Sequence, residues 1–293
     1  MRKLILSRLA SSLGVLALVS MVLFGLVQLS PIDPATLALG DAATSEQLAA
    51  KRQELGLDQP LPARYATWAL AALRGDLGAS LLNGEPVADA VLRRLPIALS
   101  LCGGAMLLAL SIGLTVGLMA GLRPGSRADR IVTFAASLGL ALPGFWLGLL
   151  FANAFAVQLR WFPVIGYTPL TENAFQWARG LILPCAALAT HGAAVIARQM
   201  RGATIEALDS PFVQALRANG ATERVIAWRF VARNALAPTL PIIGLQMSII
   251  IAAAVVMERV FALPGVGSLL IDSIISNDLP MLQGGVLLIA CAV

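Results

Sequence analysis

Arg201-Gly-Ala-Thr-Ile-Glu-Ala-Leu-Asp-Ser-Pro211, Phe-Val-Gln-Ala-Leu-Arg-Ala-Asn-Gly220 and Ala-Thr-Glu-Arg-Val-Ile-Ala-Trp-Arg-Phe-Val-Ala-Arg-Asn-Ala-Leu-Ala-Pro238 follow one another in the second half of the chain. Together they form the longest polar interruption in a region that otherwise reads as membrane, and they carry Arg201, Arg217, Arg224, Arg229 and Arg233. The punctuation predicts two short helices. Asp209 or Ser210 caps the first, Pro211 sits in its first turn, and Gly220 ends it in a left-handed conformation. Thr222 caps the second, which stops near Pro238. On that helix Val225, Trp228, Ala232 and Ala235 share one face, while Arg229 and Arg233 lie one turn apart on another. Such an elbow between two spans offers a partner chain a rigid knob. Arginines that merely hold the cytoplasmic side by the positive-inside rule account for the same residues.

Outward from this stretch, composition sets the class. Hydrophobic residues are 58% and charged residues 13% of 293, against roughly 25% charged in a soluble domain. Mean hydropathy is +0.82. This is an all-α, multi-span membrane composition. The net charge of +5 comes from arginines that alternate with apolar runs rather than forming one patch, which argues against nucleic acid as a partner. Cys102, Cys185 and Cys291 lie in apolar runs without paired spacing and read as small buried side chains, not disulfides or metal ligands.

In chain order, residues 1–30 form a basic start and a first span, with no charge between Arg8 and Asp33. The run is long enough to cross a bilayer and exceeds the core of a cleaved signal peptide. Its basic end places the N-terminus in the cytoplasm. Residues 31–94 turn polar. Thr44 and Gln47 form a capping box opening a helix that ends at Gly56, and a second helix starts at Pro62 and is ended by Gly75. By topology this is a small external domain, either a packed cap or a docking surface. Further spans are expected at about 95–122, 131–159, 181–200 and 242–257. Residues 201–241 form a loop, and 281–293 is an apolar run too short to cross. Gly113, Gly117 and Gly121, four apart, predict close helix packing. Pro143-Gly144 predicts a kink that serves either packing or transport. His191 is the only histidine and lies inside a span, where it either bonds a neighbouring helix or faces a solute path. The aromatic residues between Arg160 and Gly180 suit the headgroup zone.

Some chemistry is excluded. A phosphate-cradling G-x-x-x-x-G-K-[ST] loop needs a lysine before Ser or Thr, but Lys3 and Lys51 precede Leu4 and Arg52. There is no H-E-x-x-H, G-x-S-x-G or Cys–His arrangement, so no catalytic residue and no metal site is expected. The spans also lack the spaced acids and lysines of many ion-coupled carriers. If ATP powers whatever this chain does, the nucleotide must be bound by a separate chain.

Gln214-Ala215-Leu216, three residues and Gly220 resemble the Glu-Ala-Ala–x3–Gly coupling loop of ABC-importer permeases, with Gln214 in place of the acid and Leu216 of the second alanine. The run from Val213 to Pro238 is similar to the dipeptide, oligopeptide and nickel branch of that family. So are Ser30-Pro-Ile-Asp-Pro34, Leu55-Gly-Leu-Asp-Gln-Pro60, Arg64-Tyr65, Trp68, Gly75-Asp-Leu-Gly78, Ser80, Pro86-Val87, Phe261, Pro264-Gly265, Gly267 and Asp278-Leu-Pro280. Ile32 and Asn277 depart from the usual glycine and basic residue. The resemblance implies a type I permease bundle of six spans, the last incomplete in this chain, in a bacterial inner membrane. It implies a second permease subunit, two cytoplasmic ATPase subunits that bind ATP and magnesium, and an external solute-binding protein. Residues 212–220 would sit in the ATPase cleft: Phe212, Val213, Gln214, Ala215, Leu216, Arg217 and Gly220, with Arg224 as a further polar contact. Pro143 and His191 are candidates for the solute path. A secondary carrier and a non-transporting membrane scaffold are the alternatives. The branch carries di- and oligopeptides, glutathione and nickel chelates.

Overall fold

The computed structural model describes residues 2–28, 33–40 and 42–292. Ser30, Pro31 and Ile32 of the resemblance lie outside them. The helices are α1 (Arg2–Gln28), α2 (Pro34–Leu39), α3 (Ser45–Glu54), α4 (Leu61–Leu73), α5 (Val87–Leu122), α6 (Arg127–Ala141) and α7 (Gly144–Phe151). They continue with α8 (Ala174–Leu208), α9 (Pro211–Ala218), the single turn α10 (Glu223–Val225), α11 (Ala232–Val260), α12 (Val266–Ile275) and α13 (Leu279–Ala292). Among the described residues there is no strand, only an isolated bridge between Ala79 and Pro86. The chain divides into two units, residues 1–96 with 265–293, and residues 97–264.

In the first unit, α3 opens with both hydrogen bonds of a capping box. The Gln47 N–H donates to Thr44 Oγ1 at 3.3 Å, and the Thr44 N–H donates to Gln47 Oε1 at 2.9 Å. Gly56 and Gly75 follow α3 and α4 at φ +64° and +89°, where a side chain would be strained. Asp33 caps α2 through the Ala35 N–H and accepts from Arg52 Nε at 2.8 Å, joining α2 to α3. Burial works to raise the Asp33 pKa, but the hydrogen bonds from Arg52 and Ala35 outweigh it and hold the carboxyl below its ordinary value. Phe24 of α1 meets Tyr65 edge-on at 5.5 Å, and the Tyr65 hydroxyl lies 2.8 Å from Ser20 Oγ, so α4 packs along α1. Buried Asp278 accepts from the Ser80 hydroxyl at 2.5 Å and the Leu81 N–H at 3.3 Å, tying the turn before α13 to the turn before α5. Asn277 sits at φ +58°, a left-handed position that asparagine tolerates better than most residues.

The second unit is a bundle around α8. The three glycines of α5 lie against it without room for a side chain. A Cβ at Gly113 would come within 2.8 Å of Ile196, at Gly117 within 2.5 Å of the Ala197 carbonyl, and at Gly121 within 2.6 Å of Thr204. The four-residue spacing brings two backbones together.

Several expectations need correction. The kink at Pro143 is a full break. Leu142 is extended (φ −91°, ψ 130°), since proline disfavours helical geometry in the residue before it, and α7 starts afresh after Pro143. The two halves of 131–159 meet at 102°. Within 201–241 helix extends further than the two short helices predicted there, because α8 runs on to Leu208 and helix resumes at Glu223 and continues unbroken to Val260. Pro238 and Pro241 lie inside that helix and do not end it; neighbouring groups can compensate for the lost backbone bonds. Spans 95–122 and 181–200 lengthen to Val87–Leu122 and Ala174–Leu208.

Within Glu223–Val260, residues Ile226–Val231 form a π-helical turn. The wider turn brings Ile226 and Val231, five apart and both fully buried, onto one side. Val225 and Trp228 are consequently exposed while Ala235 is buried, so the predicted common face does not exist. Glu258, just past the predicted span 242–257, is buried within α11. Cys102 and Cys185 are buried, but Cys291 is exposed. Of the aromatic residues after Arg160, Trp161 and Phe175 are exposed, but Phe162, Tyr167 and Trp177 pack on the core.

Four helices among the described residues are long and apolar enough to cross a membrane: Ala10–Gln28, Val87–Leu122, Ala174–Leu208 and Glu223–Val260. The bent pair α6–α7 makes a fifth if counted as one span.

Candidate functional site

The elbow consists of α9 and the two turns that bracket it. Asp209 caps the end of α8, and Ser210 stands at the N-cap of α9, with Pro211 in its first turn. The Ser210 hydroxyl donates backward to the Ala207 carbonyl instead of capping α9, and Thr222 makes no side-chain cap bond. Gly220 adopts φ +78° with open space where a side chain would begin, so conformation, not crowding, calls for glycine there.

The predicted contact residues divide by face. Val213 is fully buried with Ile226 and Val231, and Leu216 packs against that cluster. These two anchor α9. Val213 therefore offers no surface to a partner, contrary to its place among the expected contacts; a helix that docks outward needs an apolar side to hold it inward. Phe212, Gln214, Ala215, Arg217, Gly220 and Arg224 are exposed. Arg217 spans the turn to Glu223, with Nε 2.7 Å and Nη2 3.2 Å from its carboxylate. That hydrogen bonding raises the guanidinium pKa above its ordinary value. Sequence reading missed Glu223 as this partner; the signal available was an opposite charge just across a glycine turn. Exposed Arg224 and Arg229 flank Val225 and Trp228 beside the elbow.

A clasp ties the root of the elbow to α6. Arg201 holds Asp129 through two N–H groups, one of them Nη2 at 2.8 Å from Oδ2. Asp129 also accepts the Gly125 N–H at 2.9 Å. The short basic turn before α6 is thereby fixed to the helix that leads into α9.

Pro143 and His191 lie far apart in sequence but line one cavity of about 400 Å³. Its walls are the break from Leu140 to Gly144, Leu188 and His191 of α8, and Gln246, Ile249 and Ala253 of α11. Gln246 is 3% exposed, and its Oε1 has no hydrogen-bond partner. The sequence offered one signal for it, an uncharged amide alone in the apolar run 242–257.

Residues 113–293 match the family of binding-protein-dependent transport system inner membrane components, and residues 1–102 match the N-terminal membrane component of such systems. The chain belongs to this ABC permease family. A putative peptide transport system permease of Brucella abortus (strain 2308) is 37% identical to it over 287 residues, 98% of this chain and 91% of the relative. A probable peptide ABC transporter permease of Sinorhizobium fredii is 36% identical over 286 residues, again 98% and 91%. The glutathione transport system permease of Escherichia coli (strain K12) is 33% identical over 284 residues, 97% and 90%. In this permease, then, α9 follows a long membrane helix as an exposed short helix held by an apolar inner face.

Proposed function

We propose that this permease is the membrane subunit of an ATP-driven importer for peptides or a related small solute, and that α9 is the handle through which a cytoplasmic ATPase moves it. One observation carries the reading. A short helix is locked on its inner side by Val213 and Leu216, yet presents Phe212, Gln214 and Ala215 outward next to Arg224. A handle needs both properties: rigid attachment to the bundle and a free face for the motor. The names of the similar permeases, for peptides and for glutathione, support the substrate class.

On this reading ATP and magnesium belong to two ATPase subunits, an external binding protein delivers the solute, and a second permease subunit completes the pathway. The site lies in a bacterial inner membrane with the N-terminus and α9 on the cytoplasmic side. Nucleotide then acts by stabilising one of two arrangements of the spans more than the other.

The test is at Gly220. A valine there must adopt a left-handed backbone, at a cost of roughly 1–2 kcal/mol, but its Cβ meets no neighbour within 4 Å. Gly220→Val is expected to leave the permease inserted and bound to its ATPase while uptake per ATP hydrolysed falls several-fold. Normal uptake by this variant, or wild-type uptake that proceeds without ATP, would overturn the reading.

A further inference from the structure

We propose that the cavity at the α6–α7 break is a substrate subsite that holds an uncharged peptide amide, with Gln246 as the group that recognises it. The inference rests on the importer reading and deepens it.

Its first support is an unsatisfied group. Gln246 lines the cavity, and its Oε1 is closed off from solvent and has no hydrogen-bond partner. Its neighbour on α8 is Gly192, where even an added Cβ would stand 3.7 Å away, so no side chain from that residue reaches it. Buried polar atoms are normally paired, and an exception calls for an explanation such as a ligand. A carboxamide carries an acceptor and donors together, which is the complement of a peptide bond with its own N–H and C=O.

The second support is the character of the walls. No acid, lysine or arginine lines the cavity. A charged terminus placed there would lose its hydration without an opposite charge to replace it. An amide between apolar side chains suits walls made of Leu140, Leu188, Ile249 and Ala253. The volume of about 400 Å³ falls within the roughly 300–1,000 Å³ of small-molecule pockets.

Position is the third. His191 lies midway along Ala174–Leu208, and Gln246 lies in the middle part of Glu223–Val260. Both are therefore near the centre of the bilayer, where a polar side chain is costly and by default functional. The helix ends at Ala141 and Gly144 bring further backbone donors and acceptors into the same wall. Transporters commonly place solute at such broken helices. His191 is the second polar contact.

The test compares uptake of tetraalanine, whose central amide is well removed from both charged termini, and of its depsipeptide, in which an ester oxygen replaces that central N–H, by the complete importer in liposomes. The external binding protein is common to all arms, so its own preference cancels when the amide-to-ester ratio of wild type is divided by that of a variant. The wild-type ratio is expected to exceed that of Gln246→Leu about ten-fold. A second variant leaves Gln246 untouched: Ala253→Phe fills the cavity from an exposed position and is expected to cut uptake about ten-fold at unchanged yield of the assembled complex. An unchanged ratio in Gln246→Leu, or full uptake by Ala253→Phe, overturns the subsite. ATP-driven uptake of some other solute but of neither probe overturns the subsite and leaves the importer standing, whereas uptake indifferent to ATP sinks the importer reading instead.

Discussion

Glycines in this chain do opposite jobs, and a single added methyl tells them apart. At Gly117 the new atom would lie 2.5 Å from the Ala197 carbonyl and 3.0 Å from its Cα, both backbone atoms that cannot swing aside. Gly117→Ala therefore has to push α5 and α8 apart, an overpacking cost of roughly 1–3 kcal/mol. At Gly202, in α8, nothing lies within 4 Å. Alanine there is expected to be neutral or to stabilise the helix by up to about 1 kcal/mol. Thermal unfolding in detergent checks the pair: the first variant should melt well below wild type and the second at or slightly above it. Equal melting would mean that the α5–α8 contact is looser than the geometry shows. This packing was legible in the sequence, because spacing by four in an apolar run has few other uses. The cavity was only half legible. Pro143 and His191 stood out as exceptions to an apolar pattern, but their meeting, and the unpaired amide of Gln246 beside them, depend on how α6, α8 and α11 cross.

At the scale of elements, the helix face expected after Thr222 fails because the backbone departs there from the 3.6-residue period. The π turn at Ile226–Val231 adds a residue to one turn of helix and moves Trp228 to the surface. Polar composition marks 201–241 as lying between spans, yet the spanning helices themselves continue beyond the apolar core with charged sides, as α8 does at Arg198 and Arg201. Turn signals were the more dependable evidence, since Pro211 and Gly220 bracket α9 where their backbone preferences require. The division of α9 into an inner and an outer face leads to a prediction of its own. Val213→Asp puts a charge into the cluster with Ile226 and Val231 and leaves it without a partner. Gln214→Asp adds the same charge to an exposed neighbour. Trypsin should cut at Arg217 or Arg224 about ten-fold faster in the first variant, because α9 detaches, and at the wild-type rate in the second. Comparable cleavage of both variants would show that Val213 is not what holds the elbow.

For the whole molecule, length and charge lead to an expected orientation in the membrane, which the importer reading requires. At 1.5 Å per residue the 36 residues of α5 extend about 54 Å, well beyond a hydrocarbon core of roughly 30 Å. The surplus falls at the Val87 end, which carries Asp89, Arg93 and Arg94, and so projects from the membrane on the side of α3 and α4. The opposite end of α5 runs into Arg123, Arg127 and Arg130, and the helix after it returns to α8 and the arginines of the elbow. On the importer reading proposed above, positive-inside asymmetry leads to the expectation that the 123–130 turn and α9 face the cytoplasm and that α3 lies outside. Single cysteines at Gln214 and at Glu46, both exposed positions, test this with a membrane-impermeant maleimide. The background is manageable: Cys102 and Cys185 are buried, and the exposed Cys291 is first changed to serine. In intact cells stripped of their outer membrane, the cysteine at 46 should label at least ten-fold more than that at 214, and inverted vesicles should reverse the order. Labelling of position 214 from the outer face would place α9 beyond the reach of any cytoplasmic ATPase. In that event the inner-face anchoring by Val213 would still describe the fold, but the elbow could not serve as the handle of an importer.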